Sequence, residues 1–344
     1  MLKALKTQVF QMIARPEAGR FLAGRQRGRG VIFMLHRFAC AENNWQGYDV
    51  PTLRRFLAYL RASRAELVSV DQLLTAFEAG IDPNAAPMIA FTIDDGFADF
   101  GNHGVPVFAE YDCPTTVFVV PNVIAGKTWF WWNKVEYIFD RTRVNALEVD
   151  VVGRMPAATP ENRAEAIKRI QAHIKTLPAS DVTGYIERLA DSAEVSLPTS
   201  APAEYAVHDW NTLRNLRNAG VSVGAHSMNH PILSRCSPDE VQAEIEQSIT
   251  RVRAECQNAS ETFCYPNGFP GVDFTQRETS ILARSPARWA LSAREGILKA
   301  ADANRISAKT AARFLIPRIG IDDDLGRSCW LALGKQFTEP VLWS

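Results

Sequence analysis

Several short, almost uninterrupted apolar runs constrain this chain more than any other feature. Val31-Ile32-Phe33-Met34-Leu35, Met88-Ile89-Ala90-Phe91-Thr92-Ile93, Thr115-Thr116-Val117-Phe118-Val119-Val120 and Val221-Ser222-Val223-Gly224-Ala225 each suit a strand buried on both faces. Helical patterns at 52–62, 71–79, near 100–111 and at 238–256 separate them. Shorter strand patterns fall at 67–70, 262–265, 289–292 and 314–319. Buried strands alternating with helices predict an α/β fold with a parallel sheet, open or closed into a barrel. In either form the chemistry belongs at the C-terminal ends of the strands.

The alternation breaks once. Residues 122–205 open with an aromatic cluster (Trp129, Phe130, Trp131, Trp132), continue into charged helical patterns near 160–176 and 180–192, and close in Ser196-Leu197-Pro198-Thr199-Ser200-Ala201-Pro202. The last stretch has linker composition, so 122–205 reads as an insertion into a main domain of residues 30–121 and 206–322. Residues 1–29 read as a basic N-terminal segment, with an amphipathic helix over 1–14 ended before Pro16. Residues 323–344 read as a C-terminal tail.

With 344 residues, 47% of them hydrophobic, the chain can bury a large core. Lys plus Arg equals Asp plus Glu at 38 each, which gives no electrostatic case for nucleic acid. The exception to the balance is the start, where Lys3, Lys6, Arg15, Arg20, Arg25, Arg27 and Arg29 stand against Glu17. That pattern suggests either peripheral attachment of residues 1–30 to an anionic membrane or a helix packed on the barrel end. The six cysteines include no CxxC pair, so neither a zinc ribbon nor a disulfide framework is expected. There is no signal-peptide core and no run of about 18 apolar residues. A cytoplasmic location, peripheral at the inner membrane face, is expected.

Two motifs carry chemistry. Asp94-Asp95-Gly96 follows the strand ending at Ile93. Adjacent acids there are costly unless something positive lies close, and the turn at Gly96 can bring both carboxylates into one pocket. Asp-Gly is also ordinary turn chemistry. His226-Ser227-Met228-Asn229-His230 follows the strand ending at Ala225. Histidines four apart face one metal if the segment coils into a single turn. Two imidazoles and one carboxylate leave positions open for water and substrate. Zinc is the expected ion, although the same ligands suit Fe(II).

Thr92-Ile93-Asp94-Asp95-Gly96 resembles the first motif of the polysaccharide deacetylases, the carbohydrate esterases with a NodB-homology domain. His226-Ser227-Met228-Asn229-His230 is similar to the second motif, and Phe263-Cys264-Tyr265-Pro266-Asn267-Gly268 to the third, in the family's order. The resemblance implies a distorted β/α barrel and removal of N-acetyl groups from polymeric or lipid-linked amino sugars. It implies Asp94 as general base, and Asp95, His226 and His230 as ligands of one divalent metal. The backbone N–H of Asn267, with Gly268 beside it, would hold the oxyanion.

The chain departs from the family in three places. Where many members carry a base-orienting arginine in the third motif, this chain has Cys264; Arg318, in Leu315-Ile316-Pro317-Arg318-Ile319, would take that role or would form a surface salt bridge. No histidine follows His230, so the general acid would be His36, which closes the first buried strand, as in members whose order is circularly permuted. The alternative for His36 is a core histidine. The third departure is the insertion, whose Trp129, Trp131 and Trp132 either stack on sugar rings or are core. His103, His173 and His208 have no partner pattern and read as structural or exposed. Rival functions are an amidohydrolase of non-sugar C–N bonds, an Fe(II) oxygenase and a catalytically inactive carbohydrate-binding homologue.

Overall fold

The computed structural model describes residues 2–39, 47–149, 151–307 and 310–335. Seven parallel strands follow one another around a closed barrel: β1 (Arg29–Leu35), β2 (Met88–Ile93), β3 (Thr115–Val119), β4 (Val221–Ala225), β5 (Ala259–Cys264), β6 (Trp289–Glu295) and β7 (Ile316–Gly320). β7 pairs with β1, and β1 pairs with β2 from Gly30↔Met88 to Leu35↔Ile93, so the sheet has no free edge between them. Of the two forms that the alternation allows, the chain adopts the closed one. Register shifts between Val223 and Ala225, and between Ile316 and Arg318, distort it. The second shift falls at Pro317, which cannot donate to the ladder.

The barrel interior is a core in its own right. Ile32, Ala90, Phe118, Trp289, Leu291 and Ile316 fill it together with Leu73, Leu74 and Phe77 from the helix Val70–Glu78. That helix closes the N-terminal end. Gly30 leaves room for it, since a Cβ there would meet the Phe77 ring at 2.8 Å. Asp71 on the helix accepts hydrogen bonds from the Ser260 and Thr262 hydroxyls at 2.8 and 2.7 Å, which ties it to β5. A larger cluster packs the outer faces of the strands against surrounding helices, among them Val50–Ala62 and Pro238–Glu255. With the bottom plugged, only the C-terminal end of the barrel is left for a site.

The N-terminal segment folds as two helices, Leu2–Ile13 and Pro16–Arg25. Pro16 starts the second helix rather than only ending the first, because its fixed φ suits a first turn. The segment read as a C-terminal tail is helical over Leu325–Leu333 and buries Cys329 and Leu333 in the outer core; residues 336–344 lie outside the described residues. The insertion is richer than its pattern predicts. Besides the helices Pro160–Ile174 and Val182–Ser192 it has a helix over Trp131–Arg141 and a hairpin of Ala146–Val149 with Gly153–Pro156. These enclose a separate core that includes Ile138, Phe139, Leu147, Ile170 and Leu189. Cys113, Cys236, Cys256, Cys264 and Cys329 are free thiols, and Cys40 lies outside the described residues. Among the described residues no helix is long and apolar enough to cross a membrane.

One histidine supports the top of the barrel. His208 is buried, its N–H donates to the Gly96 carbonyl at 2.9 Å, and its Nε2 accepts the Gly101 N–H at 3.1 Å. Burial lowers its pKa to about 4. In that state the unfolded chain binds more protons than the folded one between about pH 6.5 and 4, so stability falls as pH drops through this window. We expect the unfolding free energy to decline there with a contribution from His208 of up to about 1.4 kcal/mol per pH unit. Urea melts of His208→Gln across pH should show a slope shallower by about one proton; an unchanged slope would show that His208 is not buried in its neutral form.

Candidate active site

The sequence-predicted site residues converge at the C-terminal end of the barrel. Asp94, Asp95, His36, His226, His230 and Asn267 line one cleft of about 210 Å³, together with Trp131, Trp132, Gln171 and Lys175 from the insertion. Each barrel residue sits just past a strand: His36 after β1, the two acids after β2, the histidines after β4 and Asn267 after β5. Arg318, on β7, lies in the barrel interior against Asp94.

Left-handed backbone aims these side chains. Asp95 (φ 74°), Ser227 (φ 60°), His230 (φ 59°) and Asn267 (φ 56°) all take a conformation that ordinary residues avoid. The expected single helical turn at His226–His230 is not formed. The segment bends instead, with the Ser227 hydroxyl accepting the His230 N–H at 3.0 Å. Glu244, on the helix Pro238–Glu255, accepts the Met228 and Asn229 N–H groups at 2.8 and 2.9 Å and the Asn229 side chain at 2.6 Å. The bend thus brings the two imidazoles together without helix, and Pro231 is compatible with it.

His226 and His230 present Nε2 to the same carboxylate oxygen, Asp95 Oδ1, at 3.8 and 3.6 Å. Ligands at about 2.1 Å from a tetrahedral ion are separated by roughly 3.4 Å, close to these distances. Asp95 Oδ1 is buried and has no hydrogen-bond partner among the described residues. Burial and the neighbouring Asp94 both push the Asp95 carboxyl well above the usual carboxylate range. A buried acid in that position needs a cation to stay ionised. The histidines are tuned the opposite way. Burial lowers the pKa of His226 to about 4 and holds that of His230 well below the usual imidazole range, so both rings are neutral. His226 Nδ1 lies 2.8 Å from the Cys264 carbonyl; donating there leaves its Nε2 lone pair toward Asp95. Asp95, His226 and His230 therefore make a set that can hold a divalent ion. A second cluster, Asp94, His226 and Cys264, cannot do so equally: Asp94 is committed to Arg318, and burial keeps the Cys264 thiol protonated.

Asp94 receives the two arms of the Arg318 guanidinium at 2.8 and 2.9 Å. Arg318 also donates to Thr92 Oγ1 and to the Ser292 carbonyl, each at 3.1 Å. It is 1% exposed, so the surface salt bridge is excluded. Burial alone would raise the Asp94 pKa, but Arg318, followed by the nearby His226 and His36, overturns this and holds it well below the usual range. Cys264, at the third-motif position, sits with Sγ 3.6 and 3.7 Å from the Asp94 oxygens. His36 Nε2 is 4.0 Å from Asp94 Oδ2, with its side chain 48% exposed in the cleft wall, which is not the burial of a core histidine. Asn267 Nδ2 is a buried donor without a partner among the described residues. A Cβ on Gly268, beside it, would come within 2.9 Å of the Ala293 nitrogen.

The tryptophans divide. Trp129 is buried, with Nε1 donating to the Pro198 carbonyl at 3.2 Å. Trp131 and Trp132 are half-buried and line the cleft. Trp132 stacks on Phe130 with ring centres 4.3 Å apart and packs on the His230 ring at 4.7 Å. Sequence reasoning missed Glu244, Gln171 and Lys175, which carry no motif. Only the predicted helices that hold them were visible.

The polysaccharide deacetylase family model matches residues 82–281, a span that includes both acids, both histidines and Asn267. No curated protein sequence matches the chain. Among solved structures, the deacetylase PplD of Streptococcus pyogenes, in complex with acetate, is 15% identical, with a TM-score of 0.57 over 89% of this chain and 98% of that one. IcaB of Ammonifex degensii is 14% identical, with a TM-score of 0.55 over 90% of this chain and 99% of that one. These likenesses show a shared barrel fold, and with more than half of the sequence matched by the family model, the chain belongs to the polysaccharide deacetylases.

Proposed function

We propose that this protein removes the N-acetyl group from an amino sugar, in a polymer or a lipid-linked glycan precursor, with one divalent metal ion held by Asp95, His226 and His230. The observation that carries the reading is the opposite treatment of two adjacent buried acids. Asp94 is paired with Arg318 and ionised, whereas Asp95 faces two neutral imidazoles, and Arg37 and Arg318 act on it only at longer range. Such an ion, zinc by its donor set, supplies a Lewis acid that polarises the acetamide carbonyl and makes nearby water more acidic.

The chain's own residues do the rest. Asp94 takes a proton from the attacking water. Arg318 fixes both of its oxygens and keeps it ionised; the same pairing weakens it as a base, which is why the water must be acidified. The Asn267 N–H stabilises the developing oxyanion. His36 gives a proton to the departing amine; burial lowers its pKa, Asp94 opposes that shift, and its half-exposed ring can recover a proton from solvent. Trp131 and Trp132 offer flat apolar faces to a sugar ring beside His230.

We expect zinc near one equivalent per chain, and acetate released from N-acetylglucosamine oligomers or lipid-linked amino sugars, with His226→Ala losing both. Asp94→Asn should keep its metal and lose turnover by about 10²–10⁴-fold. Metal loss in that variant would overturn the division of labour between the two acids. Bound metal without acetate from any amino sugar would point to a non-sugar amide instead.

A cytoplasmic protein peripheral at the inner membrane face is part of the same proposal. Val9, Met12 and Phe21 are 46%, 61% and 64% exposed on the two N-terminal helices, on a segment rich in arginine. Exposed apolar residues among cations suit an anionic lipid surface. Removal of residues 1–27 should abolish sedimentation with phosphatidylglycerol liposomes. The double change Met12→Ser with Phe21→Ser, which leaves the helix packing intact, should weaken it. Unchanged binding in both would sink the membrane contact.

A further inference from the structure

Beside the catalytic cleft lies a second cavity of about 350 Å³, and the two share Trp131 and His230. A ligand that fills the cleft and extends past His230 enters this cavity. One wall is the loop after β4, with Arg235. The other is the insertion, with Lys134 and the apolar side chains of Ile174, Leu177 and Ile186.

Two cations, Lys134 and Arg235, and two acids, Glu240 and Glu244, line the cavity, but the acids are held by backbone N–H groups and not by the cations. Lys134 is half-buried; its ammonium donates to Thr128 Oγ1 at 3.3 Å and lies 5.8 Å from the centre of the Trp129 ring. No carboxylate of the described residues pairs with it; Glu187 acts on it only at longer range, and burial works against its charge. Arg235 is exposed and forms no ion pair among the described residues. The two acids of the cavity are already engaged. Glu244 accepts the N–H groups of the His226–His230 bend, and Glu240 accepts the Ser237 N–H at 2.7 Å as a helix cap. On the cleft side of Trp131, Lys175 adds a further cation, with Asp273 near enough to feel its charge. A partly desolvated ammonium without a direct ion pair gains from a ligand that brings one.

We propose that this cavity is a second substrate subsite, which takes an anionic group carried next to the acetamido sugar, a carboxylate or a phosphate. It rests on the deacetylase reading only for the identity of the sugar in the neighbouring cleft. Lys134 and Arg235 bind the anion from opposite walls, and the apolar wall of the insertion packs against the rest of the unit. A carboxylate would belong to a polymer containing uronic acid. A phosphate would belong to a lipid-linked precursor.

Trp129 and Trp131 line the cavity, so their fluorescence reports occupancy without turnover. The full-length chain, with zinc supplied, is titrated with N-acetylglucosamine and its 1-phosphate, and with di-N-acetylchitobiose and a glucuronate–N-acetylglucosamine disaccharide. We expect at least one anionic probe to bind about tenfold more tightly than its neutral counterpart, with the advantage shrinking as salt is added. Which probe gains identifies phosphate or carboxylate. In Lys134→Gln with Arg235→Gln the anionic-to-neutral affinity ratio should collapse toward one, and Lys134→Arg should retain it. Equal affinities, no binding of either anionic probe, or a ratio that survives the double substitution would overturn the subsite. Acetate release is read separately: anion preference without acetate from any probe would leave the subsite standing and remove the deacetylase reading.

Discussion

Two carboxylates on consecutive residues, both buried, pose the problem around which the top of this barrel is arranged. Asp94 and Asp95 are 2% and 5% exposed, and two ionised acids that close cannot share a low-dielectric site without compensation. One guanidinium, Arg318, reaches Asp94 through the barrel interior and grips both of its oxygens. It offers no arm to Asp95, whose Oδ1 faces two imidazoles that burial keeps neutral. The protein's own charges therefore leave the site one cation short. The proposed divalent ion would correct that shortage, and without it Asp95 would bind a proton. The chemical asymmetry between neighbouring acids thus follows from where a single arginine can reach.

That arrangement needs a rigid frame, because its key residues sit in unfavourable backbone. Left-handed Asp95, Ser227, His230 and Asn267 each cost about 1–2 kcal/mol, and each lies next to a barrel strand whose hydrogen bonds over-determine it. The Asp94 N–H donates to the Leu35 carbonyl across β1 and β2, and the His226 N–H to the Val119 carbonyl across β3 and β4, both at 2.9 Å. His208 fastens the turn after Asp95, and Glu244 fastens the bend that carries His230. The strain is local, and closure of the sheet is what holds it there.

This division explains what the sequence makes legible. Strands of a parallel barrel are covered on both faces, so they appear as apolar runs, and polar residues just after those runs stand out; Asp94, Asp95, His226 and His230 are visible for that reason. Closure does not show, because it depends on β1 meeting β7 and β2 at once, a long-range pairing without a local signature. Conformation at the strand ends is hidden for a similar reason. The His226–His230 spacing fits a helical turn, yet Glu244 and Ser227 stabilise a left-handed bend that spacing alone cannot distinguish. Arg318 is ambiguous in sequence because the same residue on an outward-facing position would be a surface ion pair. Only the inward register after Pro317 settles that it meets Asp94.

The insertion is the part least constrained by the barrel and the part that shapes what reaches it. It packs its own core of Ile138, Phe139, Ile170 and neighbouring residues, and Val123 and Phe130 join it to Phe97 and Val120 at the barrel. It leaves the barrel after β3, beside the strand that His226 follows, and Trp131, Trp132, Gln171 and Lys175 line the cleft with the acids and histidines. A barrel rim by itself is a shallow dish that presents reactive groups but few surfaces to grip a sugar. Among the described residues none of the hydrogen bonds of Asp94 or Arg318 comes from the insertion, whereas Phe130 and Trp132 pack on the His230 ring. The acids and histidines thus belong to the barrel, while Trp131, Trp132, Gln171 and Lys175 of the same cleft come from residues packed around another core.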